Sequence, residues 1–563
     1  MSSNPCLRQH EERYQNRKEA VEFYRLNGVK ETLEAALNEM FQLRPGDVNG
    51  YLAEYFLKLS APPRISRLRG RKVYDARGQP SIQADVFCTI CNLEKSTSSA
   101  SVSSCRPPEG MSLYQDRTHH VTTAAQWINE DLCDELKDQD PCDQSEVDRR
   151  LSNFFKARLQ EDKDIQEMDK QRSLTSTKQE VEPPAPPSAK TRDKRSTGKL
   201  LPPAEPLEPV LPGSMAIGAV SLAVAKTGAQ VKNIPLYKHV ASLRNHEAPG
   251  QFHIPILLVT LLSCGKTSPG KLCLLEEVIL IPKMGQQVKQ IIGMTLELQE
   301  EMRRIMSGST KAGAASSLWC DSGAPAVGYN QPEEPLDLIT DACRNLRVEL
   351  GTDVYLALTC AAPGLLDYAK GKYEVCTGVL KSPDELVDLY QSLISRYPAV
   401  VALIDPFRRE DTKQWEQLSR VLGESCSLLS DITQKPQAPP LPGARGYVLK
   451  QVNETTVSDM VHITSDHRGL VLMGAAYGEP CSAASFSDIA VGLGLEYVKL
   501  GGLSGAERMA KYNRLVSIEE ELAQQGDLVY KERHPLLCSL RKDESLLQRS
   551  EGLARQDYSP HLT

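Results

Sequence analysis

No apolar stretch of this 563-residue sequence can cross a bilayer: the longest run, Ile254 to Leu262, is under half of the ~20 residues a spanning helix needs. No membrane span is expected. The N-terminus, MSSNPCLRQHEERYQ, lacks the apolar core of a signal peptide, and Ser2 stands where myristoylation would need glycine, so a cytoplasmic location is expected. There is no excess of positive charge: 66 Lys+Arg against 73 Asp+Glu give a net charge of −7, which argues against neutralising a nucleic-acid backbone. Aromatics reach only 6%, too few to suggest a platform for stacking bases. A disulfide framework is also missing, because the 15 cysteines are odd in number and irregularly spaced. Reduced core thiols are expected. Cys88-Thr89-Ile90-Cys91 matches CxxC, but Ile82, Ala84, Val86 and Cys88 alternate as in a strand, where positions three apart face opposite ways.

What is present suffices for several packed units. At 40% hydrophobic residues the chain can bury a large core, and its length suggests three to four domains at about 150 residues each. Val29, Leu33, Leu37, Met40 and Phe41 recur at helical spacing. Arg44-Pro45-Gly46-Asp47 then breaks the helix, and Val48, Leu52, Tyr55, Phe56 and Leu59 begin a second stripe. Two such short helices cannot bury their apolar face alone. They must pack on their own chain, on a copy of it or on another partner. From Lys72 to Val86 the period falls to two around the turn Asp75-Ala76-Arg77-Gly78-Gln79-Pro80, opening a small α+β domain with helices over Val121 to Leu132 and Ser145 to Phe155. Residues 157–212 are charged and then proline-rich, a composition expected to be disordered, and helices resume from Met215 to Leu243.

Beyond Phe252, buried apolar runs alternate with amphipathic helices. The runs are Ile254–Leu262, Leu272–Ile281, Leu318–Cys320, Val354–Thr359, Val400–Ile404, Leu428–Leu429, Tyr447–Leu449, Leu470–Met473 and Tyr497–Leu500. Helices are expected over Val288–Met306, Leu336–Leu346, Pro383–Tyr397 and Glu507–Leu522. Roughly eight strands over about 270 residues predict an α/β fold with a (β/α)8 barrel, whose chemistry lies at the C-terminal ends of its strands. The expected organisation is a helical module at 1–65, an α+β domain at 66–251, the barrel at 252–525 and a C-terminal extension at 526–563.

Two resemblances then emerge. LRPGDVNGYLAEYFLKL (Leu43 to Leu59) is similar to the second helix of the dimerisation/docking module of the type II regulatory subunit of cAMP-dependent kinase. This implies a two-chain four-helix bundle that receives an amphipathic anchoring helix. The α+β domain and barrel resemble enolase, the phosphopyruvate hydratase of glycolysis. The anchors are RKVYDARGQPSIQADV (Arg71 to Val86), AIGAVSLAVAKTGA (Ala216 to Ala229), IPLYKHVASL (Ile234 to Leu243), SPDELVDLYQSLISRYPAVVALIDPF (Ser382 to Phe407) and YVKLGGLSGAERMAKYNRLVSIEEEL (Tyr497 to Leu522). The docking hairpin and the insertion further resemble a sperm-associated vertebrate branch of that family.

The enolase resemblance implies dehydration of 2-phosphoglycerate to phosphoenolpyruvate. A base must take a proton beside a carboxylate while Mg²⁺ holds the enediolate, and the enolase superfamily is the standing instance of a Lys or His base with one or two Mg²⁺. By the resemblance Lys450 in YVLKQVN is the catalytic base, and Glu277 in LLEEVILIP and Lys499 in YVKLGG bind substrate. Taken alone, lysines at strand ends are ordinary solvated charges. The family's three acidic Mg²⁺ ligands fall at Thr359, at Ile404, and at Ser430 or Asp431, so at most Asp431 remains; Asp405 in the retained DPF turn points away from the metal. The general-acid position is Ser322, the closing loop is replaced by SCRPPEG (Ser104 to Gly110), and the Ser-His-Arg-Ser run after Met473 reads Gly474-Ala475-Ala476-Tyr477-Gly478-Glu479. Ser465-Asp466-His467-Arg468-Gly469 looks similar but precedes its strand and belongs at the opposite face.

Two functions are therefore in play. One is a weakly catalytic or non-catalytic enolase fold, tethered by its N-terminal module in a glycolytic, cytoskeletal or sperm-flagellar assembly. The other is an active hydratase using Lys450. Expected partners are a second copy of the chain, a full enolase, an anchoring helix, and phosphoglycerate or phosphoenolpyruvate if active.

Overall fold

Proline, glycine and a capping aspartate end the second helix and start the third as the sequence requires. In the computed structural model, Arg44 takes a left-handed conformation (φ 46°) after helix Val29–Leu43, and the Asp47 carboxylate accepts from the Gly50 amide at 2.9 Å to open helix Val48–Leu59. A further helix, Pro5–Leu26, precedes them. Its sequence is polar on all sides and gave no periodic signal. The structure describes residues 5–103, 113–176, 210–245, 249–265, 268, 273–309, 319–423, 425–433, 438–450, 454–467, 470–475, 484–531, 534 and 536. Two compact units result, one of residues 1–64 with 88–95, the other of 65–87 with 96–563. In the first, Ala36 is the buried residue of helix Val29–Leu43, while Leu33, Leu37 and Phe41 are 46%, 51% and 69% exposed along one face.

A three-stranded sheet in the order β1 (Arg64–Tyr74), β2 (Pro80–Ile90), β3 (Leu93–Ser103) opens the α+β region. Cys88 faces the core and Cys91 is exposed at the hairpin turn, as alternation requires. The expected loop at Ser104 to Gly110 lies outside the described residues. Helices Leu113–Asn129, Asp131–Leu136, Gln144–Ser176, Met215–Val231 and Leu236–Asn245 follow. The third of these continues to Ser176, which corrects the expectation of disorder from about 157; the rest of that stretch, up to 209, lies outside the described residues. Asp148 fastens this region to the barrel: buried, it accepts from the Ser221 hydroxyl (2.6 Å), the Gln144 amide (2.9 Å) and the Ser458 backbone N–H (2.9 Å) at the start of helix Val457–Asp466. A carboxylate at a helix N-terminus meets the positive end of the helix dipole.

The barrel closes with eight strands. They are β4 (Ile256–Ser263), β5 (Leu275–Pro282), β6 (Val354–Cys360), β10 (Val400–Ile404), β11 (Ser427–Asp431), β12 (Ala444–Lys450), β13 (Leu470–Gly474) and β14 (Tyr497–Gly501). A separate antiparallel sheet of β7 (Leu366–Asp367), β8 (Lys372–Cys376) and β9 (Val379–Lys381) sits between β6 and β10 in sequence. Barrel neighbours are parallel except that β5 runs antiparallel to both β4 and β6. The reason is the short connection at residues 264–274: a parallel crossover needs a dozen or more residues and usually a helix. Of the expected strand at Leu318–Cys320, Leu318 lies outside the described residues and Trp319 forms only an isolated bridge to Pro325.

Helix starts are locally encoded. Ser382 and Glu385 form a reciprocal capping box with Pro383 behind them, and Thr456 with Asp459 forms another. Inside the barrel, Leu258, Ile279, Ala357, Ala402, Leu429, Val448, Leu472 and Tyr497 make one apolar layer. The packing extends past the expected boundary at 525. Val529 donates to the Phe252 carbonyl, Leu536 joins the barrel core, and His534 Nδ1 lies 2.8 Å from the Tyr497 hydroxyl at the base of β14.

Burial depresses His534 from 6.5 to about 4. Between these values the unfolded chain binds a proton that the folded chain excludes, so stability rises with pH from about 4 to about 6.5. Thermal unfolding midpoints measured across that window should show this slope, and His534→Phe should flatten it.

Candidate functional site

Strand parity determines which side chains enter the barrel mouth. Ile279, Ala357, Ala402, Leu429, Val448, Leu472 and Tyr497 point inward. Two residues away on the same strands, Glu277, Thr359, Ile404, Asp431, Lys450, Gly474 and Lys499 form the next inward layer. The register agrees: Glu277 pairs with Thr359, Thr359 with Ile404, Lys450 with Gly474, and Gly474 with Lys499. Glu277 reaches this end from the start of its strand because β5 is reversed. Parity also separates the two candidates on β11, turning Asp431 inward and Ser430 outward, where Ser430 receives Arg409 Nη1 at 3.4 Å.

Each inward lysine meets a carboxylate. Lys499 Nζ donates to Glu277 Oε2, and the Thr359 hydroxyl donates to the same oxygen at 3.3 Å. Glu277 is 3% and Lys499 8% exposed. Lys450 Nζ donates to Asp431 Oδ2 at 2.7 Å, and the Thr433 amide donates to Asp431 Oδ1 at 2.9 Å. Burial pushes the Asp431 carboxyl up, but the charge and hydrogen bond of Lys450 together with Thr433 more than offset it, holding the group below its ordinary value. Gly474 lies between the two lysines, and a Cβ there would stand 3.2 Å from Lys450 Cγ.

Asp405 is adjacent but differently aimed. Its backbone is left-handed (φ 50°) and its Oδ1 accepts from the Asp431 amide at 3.0 Å, so it braces the end of β11. Burial and then the negative charge of Asp431 raise it to about 7. Thr433 and Arg409 were not singled out by sequence reasoning as parts of this site, although Thr433 belongs to the LLSDIT run and Arg409 follows the DPF turn. Only strand register signals them.

The donor set does not fit a divalent cation. Mg²⁺ needs several hard oxygen ligands, and anionic ones hold it against water. At the three positions in question the barrel offers Thr359, whose hydroxyl is turned to Glu277, then Ile404, and then Asp431, whose two oxygens are taken by Lys450 and Thr433. Ile404 belongs to the apolar core, so hydrocarbon rises to the rim where a ligand would stand. Among the described residues no group of three or more His, Cys, Asp or Glu side chains is placed to hold a metal.

The acid position is equally changed. Ser322 is held by backbone bonds, with the Gly502 amide donating to its carbonyl at 2.7 Å and the Gly323 amide to Cys320 at 2.8 Å. Its buried hydroxyl finds no hydrogen-bond partner among the described residues, and a hydroxyl is a far weaker acid than a carboxyl. Gly474 and Ala475 begin the segment that should clamp phosphate; 476–479 lie outside the described residues. Ser465 and Asp466 end a helix that precedes β13, and His467 stacks edge-on against Tyr447 at 4.7 Å, away from the mouth.

Removing the ammonium beside a carboxylate as buried as Glu277 should cost about 3–5 kcal/mol. Denaturant unfolding of Lys499→Met should show a loss of that order, with most of it recovered when Glu277→Gln is added. Equal losses in the single and double variants would show that the pair is not coupled.

Comparison with known proteins adds the family. Residues 251–535 match the model described as the enolase C-terminal TIM barrel domain. The chain is 44% identical over 545 residues to "Enolase 4" of Danio rerio, covering 92% of this chain and 94% of that protein. It is 40% identical over 589 residues to "Enolase 4" of Homo sapiens, covering 96% and 93%. To "Enolase" of Bdellovibrio bacteriovorus it is 30% identical over 324 residues, covering 56% and 73%. With a closed barrel of the right length and order, and full-length likeness of this kind, the chain belongs to the enolase family, close to the proteins called Enolase 4.

Proposed function

We propose that this chain is an enolase-family scaffold with weak or no hydratase activity, tethered within a glycolytic or flagellar assembly by its N-terminal helices. One observation carries the reading: the layer that should gather metal ligands contains Ile404 packed in the apolar core and two lysines already paired with Glu277 and Asp431. The four charged groups of that layer balance one another. A dication placed there would face two ammonium groups whose carboxylate partners are already engaged, and a dianionic enediolate would lack the field of metal ions that lowers its energy. Lys450 has the position of a base, but its ammonium is held by Asp431 at 2.7 Å and would have to lose a proton, leaving that carboxylate unmatched, before it could accept one from substrate. A second reading, turnover with Lys450 as base and Glu277 and Lys499 on the substrate, rests on those three residues sharing one inward layer.

Coupled turnover assays on purified chain at saturating Mg²⁺ should give rates orders of magnitude below those of a full enolase assayed alongside. Robust turnover that Lys450→Ala abolishes would establish the second reading instead.

The tether rests on the hairpin of helices Val29–Leu43 and Val48–Leu59. Leu33, Leu37 and Phe41 form an exposed apolar stripe that a second copy would cover, building a four-helix bundle whose groove receives an amphipathic helix. Enolases are generally dimeric, so mass alone is a poor readout. Fluorescence anisotropy with a labelled amphipathic helical peptide should show capture by the full chain and none after deletion of residues 1–65. Retained capture would place the groove elsewhere.

A further inference from the structure

Several thiols gather at the rim of the barrel, outside the charged layer. The connection from β4 to β5 carries Cys264 and Cys273, Cys320 lies in the segment whose Pro325 carbonyl accepts from the Ser263 amide, and Cys376 ends β8. One pair is distinguished by geometry. The Leu274 amide donates to the Val375 carbonyl at 3.0 Å, which brings their chain neighbours Cys273 and Cys376 side by side where the two segments meet. Cys273 is 3% exposed, with its sulfur 3.7 Å from the Tyr329 carbonyl, while Cys376 is half-buried and open to a small reagent. Cys264, Cys320, Cys343, Cys360 and Cys426 are all buried.

We propose that Cys273 and Cys376 form an oxidative modification site, at which hydrogen peroxide or another small uncharged peroxide closes a disulfide between the β4–β5 connection and the β7–β8–β9 sheet. The step balances without a cofactor. The Cys376 sulfur attacks one peroxide oxygen, the O–O bond breaks, and the departing hydroxide leaves as water with the thiol proton. The Cys273 sulfur then displaces hydroxide from the resulting sulfenic acid, and its own proton completes a second water. Two thiols lose two electrons and the peroxide gains them. Charge selects the oxidant: Cys376 lies in the field of Glu333 and Glu334, which disfavours an anionic disulfide such as oxidised glutathione. Burial, the Cys273 thiol and then these carboxylates raise Cys376 to about 11, so the thiolate is scarce at neutral pH and the reaction is slow beside that of dedicated peroxide sensors. The link would enclose residues 273–376, and Cys273 stands four residues before Glu277, so it would anchor the strand that brings Glu277 to the mouth.

The test uses the full chain, reduced, desalted and treated with graded hydrogen peroxide, then alkylated and digested without reductant for mass spectrometry. The expected product is one linked peptide pair containing Cys273 and Cys376, two hydrogens lighter than its parts and restored by dithiothreitol, with both thiols disappearing in equal proportion. Cys273→Ser should leave Cys376 as a sulfenic acid that dimedone traps; Cys376→Ser should remove the link and leave Cys273 reduced. The thermal midpoint should rise on oxidation of the wild type and not of Cys376→Ser. The proposal is overturned if both thiols stay alkylatable at peroxide levels that oxidise exposed Cys91. It is overturned equally if Cys376 links to a different cysteine, or persists as sulfenic acid with Cys273 present.

Discussion

Charge inside a barrel mouth must be matched locally, because the surrounding layer is hydrocarbon and an unpaired ion there is costly. The two carboxylates turned inward, Glu277 and Asp431, are matched by Lys499 and Lys450. This pairing ties β5 to β14 across the closure of the barrel and β11 to β12 on the opposite arc. In an enolase site rich in acids, lysines would be balanced through metal and substrate together. With Thr359 and Ile404 beside them, the inward lysines and carboxylates balance one another.

Under the scaffold reading proposed above, the barrel keeps the form of an enzyme without its chemistry. Ile404 adds to the apolar layer and contributes stability by burial, on the order of 2 kcal/mol for a fully covered side chain. Thr359 retains a hydroxyl and spends it on Glu277. Ile404 pairs with Thr359 on one side and Leu429 on the other. A stable body and turnover make opposite demands at such positions, since turnover needs charges left unsatisfied until substrate and metal arrive.

Much of the architecture could be read from residue periods. The runs at Val354, Val400, Tyr447, Leu470 and Tyr497 became barrel strands because continuous apolar segments between amphipathic helices have few other solutions. The capped helix at Pro383 was equally plain, whereas the one at Val457 was not anticipated. The reversed strand β5 was not, because a buried strand reads the same in either direction and only the length of residues 264–274 hints at its sense. The small sheet of β7, β8 and β9 escaped notice since its strands are short and partly exposed, and the charged helix out to Ser176 escaped because it has no apolar stripe over most of its length. Leu318–Cys320 misled because an apolar triplet can serve a loop as well as a strand.

The sequence by itself determined the fold class, the family and the identities at the mouth: Lys450, Lys499, Glu277 and Asp431 present, acids absent at Thr359 and Ile404. The fold class follows from residue period and order along the chain; the family and the assignments at the mouth follow from the resemblance of particular segments to enolase. Only the tertiary structure decided that Asp431 rather than Ser430 faces inward, that each lysine holds one carboxylate, and that the backbone beside Cys273 bonds to the backbone beside Cys376 from across more than a hundred residues. Such facts depend on strand register and on which way β5 runs. These are set by packing between distant segments, about which any short stretch of sequence carries no information.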